Sequence, residues 1–350
     1  MHGRVRKERS DEEKAKEREV ITRKASMYSE LVDMITKLRK AGDKSPKALG
    51  LTAKLLGMNP DYYTLWNYRR EILISMHSGL GLNKDIPNKD AKISKDVGDS
   101  VCNEELNLCK AGILRNPKCY GAWWHRAWIF QRFCVDVDSE IELCSDFLDM
   151  DQRNFHCWNY RRFVVEQGGV SAESEFTYST KKIEQNFSNY SAFHHRSVYI
   201  TQLLYQSAGQ KKTAMTAEFA IVENATFTDP YDQSAWWYHR FLLQWMVDTF
   251  AGDSDSGQGN ENEADELTKQ WCVDTVTAQV EGIRSLIECE PECKWPTDSL
   301  AHLLEILVSL QPGSNELAKE REGLLQRLIQ IDIVRSKRYH YLKEGGNGGR

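Results

Sequence analysis

Asn116-Pro117-Lys118-Cys119-Tyr120-Gly121-Ala122-Trp123-Trp124-His125-Arg126 opens on a turn signal and runs into aromatic residues at helical spacing. Four other segments align with it without gaps, opening at Asn59, Asp151, Asn186 and Asp229. Counted from each opening residue, offset four holds Tyr63, Tyr120, Phe155, Tyr190 and Gln233. Offset seven holds Trp66, Trp123, Trp158, Phe193 and Trp236, and offset fourteen holds Leu73, Phe130, Val165, Ile200 and Leu243. Steps of three and seven put these positions on one helix face, so all three rows are expected to pack.

The opening Asn or Asp, often followed by Pro, reads as a turn that stops a preceding helix. An apolar helical stretch such as Ile141 to Met150 lies upstream, so each unit is a helical hairpin. Openings at 59, 116, 151, 186 and 229 give spacings of 57, 35, 35 and 43. The tight middle spacing is that of a helical solenoid with a period of about 34. One hairpin cannot bury its apolar face, so neighbours must stack. A Trp at offset seven buries about 150–250 Å², an upper bound of roughly 4–6 kcal/mol of transfer free energy. Two weaker units are expected around Glu290–Trp295 and Asp332–Leu342. The fold class is therefore all-α, an α-α superhelix: a crescent of stacked hairpins.

Composition narrows function. A net charge of −5 over 350 residues with no basic stripe gives no reason to expect nucleic-acid binding. No run of about 18 apolar residues suggests a membrane span. The opening Met1-His2-Gly3-Arg4-Val5-Arg6-Lys7 has neither an apolar signal core nor a myristoylation pattern. Nine scattered cysteines read as reduced thiols of a cytoplasmic protein, mostly in the core, and Cys289 and Cys293 lack a second pair at zinc spacing. Phosphate loops, nucleophile elbows and Cys/His nucleophile pairs are missing, so the lone chain does not read as a complete enzyme.

Three residue groups stand out. The offset-ten Arg69, Arg126, Arg161 and Arg196 are expected to stack on rings or pair with a carboxylate of the neighbouring repeat, a partner-facing role being the alternative for some of them. His125, His194, His195 and His239 recur beside the aromatic row, which argues for packing or hydrogen bonding. Lys118 breaks the pattern, standing at offset two where the other copies have Asp61, Arg153, Ser188 and Tyr231. The fold does not require a lysine there, and a solvated turn lysine is the alternative to a functional one. His156 is alone at offset five among Thr64, Gly121, Ser191 and Ser234. Tyr120 follows the repeat, so packing alone would explain its ring.

The repeated Pro–x–x–Tyr–x–x–Trp–x–x–Arg resembles that of protein prenyltransferase α subunits, from about Met27 to Leu342. The branch that geranylgeranylates Rab GTPases is the most similar. Met1-His2-Gly3-Arg4, Asn59-Pro60-Asp61, Asn154-Phe155-His156-Cys157-Trp158 and Asn186-Phe187-Ser188-Asn189-Tyr190 carry that likeness. The resemblance implies a crescent wrapped around a β subunit that binds zinc and most of the isoprenoid. Zinc there would make the Rab cysteine a thiolate, and attack at C1 of geranylgeranyl diphosphate would expel diphosphate. A Rab escort protein would present the Rab. By the same resemblance Lys118 and Tyr120 would contact the diphosphate, His156 would be a weaker donor, and His2 would transiently visit the β-subunit zinc. Immunoglobulin-like and leucine-rich additions of larger animal members are not seen, so the chain looks like a minimal form.

The expected organisation is a charged arm and helix start over 1–26, a repeat domain over 27–342 and a disordered tail over 343–350. Inserts are expected over 79–99 and, acidic and disordered, over 252–266. Two rival readings stay open. One is the α subunit shared by farnesyltransferase and geranylgeranyltransferase type I, against which the Met-His-Gly-Arg start argues. The other is a non-catalytic tetratricopeptide-like adaptor, whose Gly/Ala-rich signature lacks the Trp–x–x–Arg pattern.

Overall fold

The computed structural model describes residues 10–76, 95–133, 135–203, 207–250 and 263–345. Among the described residues there are fifteen α-helices and no strand. They form two compact units, Met1–Val170 and Ser171–Arg350. The first holds α1 (Asp11–Lys40), α2 (Pro46–Met58), α3 (Tyr63–Met76), α4 (Lys95–Arg115), α5 (Tyr120–Arg132), α6 (Val137–Met150) and α7 (Phe155–Gly168). The second holds α8 (Ala172–Gln185), α9 (Tyr190–Ile200), α10 (Ala208–Thr228), α11 (Gln233–Phe250), α12 (Glu263–Cys289), α13 (Lys294–Leu310), α14 (Asn315–Ile331) and α15 (Ser336–Lys343).

The five hairpins fall where the repeat places them, and the two weaker units are α12/α13 and α14/α15. Two insert boundaries differ from expectation. Lys95 to Asp99 belong to α4, and α12 begins at Glu263 inside the stretch expected to be disordered. Glu263, Ala264 and Glu266 are strong helix formers, enough to extend the helix one turn upstream of Leu267. Residues 1–9, including His2, and 77–94, 251–262 and 346–350 lie outside the described residues. The arm, most of both inserts and the end of the tail fall on them.

Each hairpin turn is built the same way. The opening Asn or Asp accepts, through Oδ1, the backbone N–H two residues on: Asn59 from Asp61 at 3.1 Å, Asn116 from Lys118 at 3.1 Å, Asp151 from Arg153 at 3.2 Å, Asn186 from Ser188 at 3.0 Å and Asp229 from Tyr231 at 3.0 Å. This side-chain turn stops the first helix and starts the second. The offset-seven indole then donates back to the offset-one carbonyl. Trp66 meets Pro60 at 2.8 Å, Trp123 meets Pro117 at 2.9 Å, Trp158 meets Gln152 at 2.9 Å and Trp236 meets Pro230 at 2.9 Å. The repeat therefore uses Trp for its N–H as well as its bulk.

The offset-seven and offset-fourteen rows are buried throughout. Offset four is not: Tyr63, Tyr120, Phe155 and Tyr190 stand exposed on the first residue of α3, α5, α7 and α9. The expectation of packing fails there because the first turn extends past the layer that the rest of the helix presses against.

Between repeats three of the offset-ten arginines, Arg69, Arg126 and Arg196, close on carboxylates, as expected. Arg69 grips Glu105 through Nε (2.7 Å) and Nη2 (2.6 Å), and Arg126 grips Glu140 at 2.7 and 2.5 Å. In the second unit Arg196 holds Glu218 twice at 2.6 Å. Each of these arginines also donates to the carbonyl twenty residues upstream, on the first helix of its own hairpin: Leu49, Leu106 and Phe176. The carboxylate takes a further bond from the offset-nine residue of its own repeat. His125 meets Glu105 at 2.9 Å, Tyr160 donates to Glu140 at 2.8 Å, His195 meets Glu175 at 2.8 Å and Tyr238 donates to Glu218 at 2.7 Å. Every one of these groups is buried.

Burial alone would push the Glu105 carboxyl up, but donors from His125 and Arg69 and the Arg69 charge hold it at about 2. In the fifth repeat offset ten is His239, which replaces the arginine and bonds Ser299 (2.9 Å) and Gln279 (3.2 Å). Burial drives its pKa to about 3. Burial likewise lowers His125.

Glu105→Ala leaves a buried guanidinium unpaired and should cost about 3–5 kcal/mol. Glu320→Ala, which breaks the exposed pair with Arg284, should cost at most about 1 kcal/mol. Urea melts of the two variants check this, and equal losses would refute the buried seam.

Below about pH 6.5 the unfolded chain protonates histidines that the fold keeps neutral. The unfolded state then binds more protons, so stability is full above that pH and falls as pH drops. Glu105 adds a second loss between 4.5 and about 2. From pH 7.5 to 5.0 the urea midpoint should decline, at up to about 1.4 kcal/mol per pH unit for each such histidine. A flat profile contradicts it.

Candidate functional site

Lys118 sits in the turn that enters α5, and that turn is locked by Asn116. The same Asn116 donates to Asp61 of the preceding turn at 2.6 Å. The Lys118 side chain is exposed, and among the described residues its ammonium makes no ion pair. Tyr120 is the first residue of α5 and is 70% exposed. The α5 N-cap is Cys119, which makes no side-chain cap, so the first amides of α5 lack a capping oxygen. Cys119 instead turns its thiol to the Pro60 carbonyl at 3.0 Å. The site thus combines a cation, a phenol and a helix N-terminus, each favourable to an anion.

Gly121 makes this arrangement possible. A Cβ there would lie 2.4 Å from Cδ1 of Trp66, so only glycine lets the first turn of α5 ride over that indole. The sequence shows Gly121 as one of several small residues at offset five; the stack shows why it is the smallest.

His156 arrives from the next hairpin. Asn154 caps α7 by accepting from the N–H groups of His156 and Cys157, and its amide donates to the Pro117 carbonyl at 3.1 Å. That bond ties the start of α7 to the turn bearing Lys118. The His156 ring meets Tyr120 edge-on, with centroids 4.2 Å apart and planes at 86°. Phe155 packs against it as well, at 3.9 Å. Burial, and then the Lys118 charge, push the His156 pKa down. It is neutral at pH 7 and keeps one N–H donor.

The structure therefore brings Lys118, Tyr120 and His156 together on adjacent hairpins. Phe155, which walls His156, was not singled out by sequence reasoning. The carboxylates Glu105, Glu140, Glu175 and Glu218 were also missed, although each stands eleven residues before its opening residue. No group of three or more His, Cys, Asp or Glu among the described residues could hold a metal ion. Of the eight described cysteines all but Cys289 are buried.

A family model described as "Protein prenyltransferase alpha subunit repeat" matches residues 45–76, 102–133, 137–168, 172–203 and 215–246. Each window begins fourteen residues before an opening Asn or Asp, 45 against 59 and 102 against 116, so register and copy number agree. The chain is similar to the "Geranylgeranyl transferase type-2 subunit alpha" of Dictyostelium discoideum, 32% identical over 98% of this chain and 99% of that one. It is 39% identical to the proteins of the same description from Rattus norvegicus and Homo sapiens, over 69% of this chain and 42% of each. The chain thus aligns with less than half the length of these mammalian relatives. Among solved structures, "Candida albicans protein geranylgeranyltransferase-I complexed with GGPP" superposes with a TM-score of 0.62 over 91% of this chain and 90% of that one. At 20% identity that likeness establishes the fold alone, the all-α superhelix class.

The His156 geometry can be checked directly. By NMR titration its imidazole should stay neutral down to below about pH 6.5. Lys118→Met should raise its pKa, because the neighbouring cation is removed. A value unmoved by that substitution separates the two residues.

Proposed function

The chain belongs to the protein prenyltransferase α-subunit family, and from that premise we propose that it is the α subunit of a heterodimeric Rab geranylgeranyltransferase. The enzyme transfers geranylgeranyl from its diphosphate to C-terminal cysteines of Rab GTPases. This chain is inactive alone and lends diphosphate-contacting residues to a site held mainly by the β subunit. The observation that carries the reading is the convergence of Lys118, Tyr120 and His156 at the uncapped start of α5. The relative from Dictyostelium, matched over nearly its whole length, supports the type-2 branch. The five matched windows set the tetratricopeptide-like reading aside.

In the reaction a cysteine thiolate forms the C–S bond at C1 of the isoprenoid while the C1–O bond breaks and diphosphate leaves. Negative charge grows on the departing oxygens. Donors already fixed in place lower the barrier without reorganising. The Lys118 ammonium supplies full charge, the Tyr120 hydroxyl and the α5 amides supply dipoles, and neutral His156 donates without competing for a proton. Zinc belongs, in this reading, to the β subunit; the described residues of this chain do not fit it. His2 is kept as a candidate visitor to that zinc.

The same reading takes 27–342 as the repeat domain, the Rab escort protein as the presenter of Rab, and the cytoplasm as the location. No helix among the described residues is long and apolar enough to cross a membrane.

Lys118→Ala, co-expressed with the β subunit and assayed on Rab–escort complexes, should lower the single-turnover rate by about one to two decades, roughly 1.4–3 kcal/mol. Heterodimer assembly should be unchanged. A rate equal to that of the unmodified enzyme removes Lys118 from the site, and transfer to CaaX peptides instead of Rab reassigns the subunit.

A further inference from the structure

The second unit carries a recess of about 300 Å³ on its second-helix face, between the starts of α9, α11 and α13 and the segment entering α15. Its walls are aromatic: Tyr190 and Trp237 pack edge to face at 4.9 Å, and Trp295 also lines it. Three guanidinium groups, Arg240, Arg335 and Arg338, line it.

Their carboxylate partners are too few. Arg240 reaches Asp298 at 3.3 Å, a long contact. Asp332 is already shared by Arg335 (2.5 Å), Lys294 (3.4 Å) and the Tyr339 hydroxyl (2.9 Å). Among the described residues Arg338 has no ion pair. One buried donor at the recess, Nη2 of Arg335, has no hydrogen-bond partner. Arg335 lies over the Trp295 ring at 4.6 Å, which holds its guanidinium in place. Burial lowers the Arg240 pKa, Asp298 opposes this, Arg338 adds to the lowering and Glu305, itself shared with Arg321 and His302, opposes it. Cations crowded this way, with a guanidinium N–H left over, are short of an anion.

The geometry points to this recess as a docking site for an acidic peptide segment of a partner protein, with a carboxylate received by Arg240 and Arg338 and a flanking apolar side chain set between Trp237 and Trp295. Guanidinium forks match carboxylate geometry. The aromatic walls favour a chain with apolar residues over a bare ion. A volume near the lower limit for ligand pockets suits one or two side chains, not a cofactor. The site lies outside the Lys118 cluster and does not rest on the proposed transferase activity.

The test uses the full chain, whose Trp237 and Trp295 report on the recess by fluorescence. The probes are acetyl-Asp-Phe-Glu-Phe-Asp-amide, its neutral counterpart acetyl-Asn-Phe-Gln-Phe-Asn-amide, and inorganic phosphate. The acidic peptide should bind saturably, at least about tenfold tighter than the neutral one, and weaken as NaCl rises. Arg338→Gln should weaken it at least about tenfold with an unchanged thermal melt, and Arg284→Gln, elsewhere on the surface, should not. Equal binding of the two peptides, no binding, or indifference to Arg338→Gln overturns the proposal. Phosphate binding as tightly as the acidic peptide overturns it too, by making this a free-oxyanion site.

Discussion

Within its two units the structure depends on buried carboxylates at three seams between repeats. Glu105, Glu140 and Glu218 each accept from the arginine of the preceding hairpin and from the Tyr or His of their own. The arginine in turn reaches back to a carbonyl of its own first helix. Four helices are thereby referred to one pair of oxygens. Apolar stacking drives the helices together but tolerates sliding; a fully hydrogen-bonded buried charge does not, because any shift strands a guanidinium or a carboxylate away from water. The aromatic rows supply most of the driving force, and the carboxylates fix which position along the helix is opposite which.

The cluster proposed to contact diphosphate inherits its geometry from that register. Lys118 and Tyr120 are placed by one turn, His156 by the next, and the Asn154–Pro117 bond links the two. Gly121 permits the close approach of the first turn of α5, which Tyr120 opens, to Trp66. Exposure of the offset-four rings follows from the same arrangement. The first turn of each second helix projects beyond the packed layer, where its amides and aromatic edge face outward together.

Much of this was legible in the sequence. Offsets seven and fourteen, the hairpin turns and the arginine pairing were read correctly, because a repeated residue type at a fixed offset reports a repeated environment. Lys118 and His156 stood out by the converse logic, as departures from the repeat. The expected burial of the offset-four ring of Tyr120 fails, since periodicity says which face a ring shares but not where the layer ends. The glutamates were overlooked although they recur as regularly as the tryptophans. A lone acid on a helix is usually solvated, and only the arriving arginine and phenol or imidazole reveal it as buried. The clustering of Lys118, Tyr120 and His156 depends on hairpin stacking, which no single segment encodes.

The fixed count of eleven residues from glutamate to turn, beside openings spaced by 57, 35, 35 and 43, has an evolutionary corollary. All the variation in unit length falls between one opening turn and the glutamate that precedes the next. Lengthening a connection there costs only the slowly growing entropy of a longer loop. One residue added between glutamate and turn would rotate the carboxylate away from its partners. Lineages can therefore acquire new segments at the joints of this array without disturbing its stacking, and the joints are where novelty in such chains should accumulate.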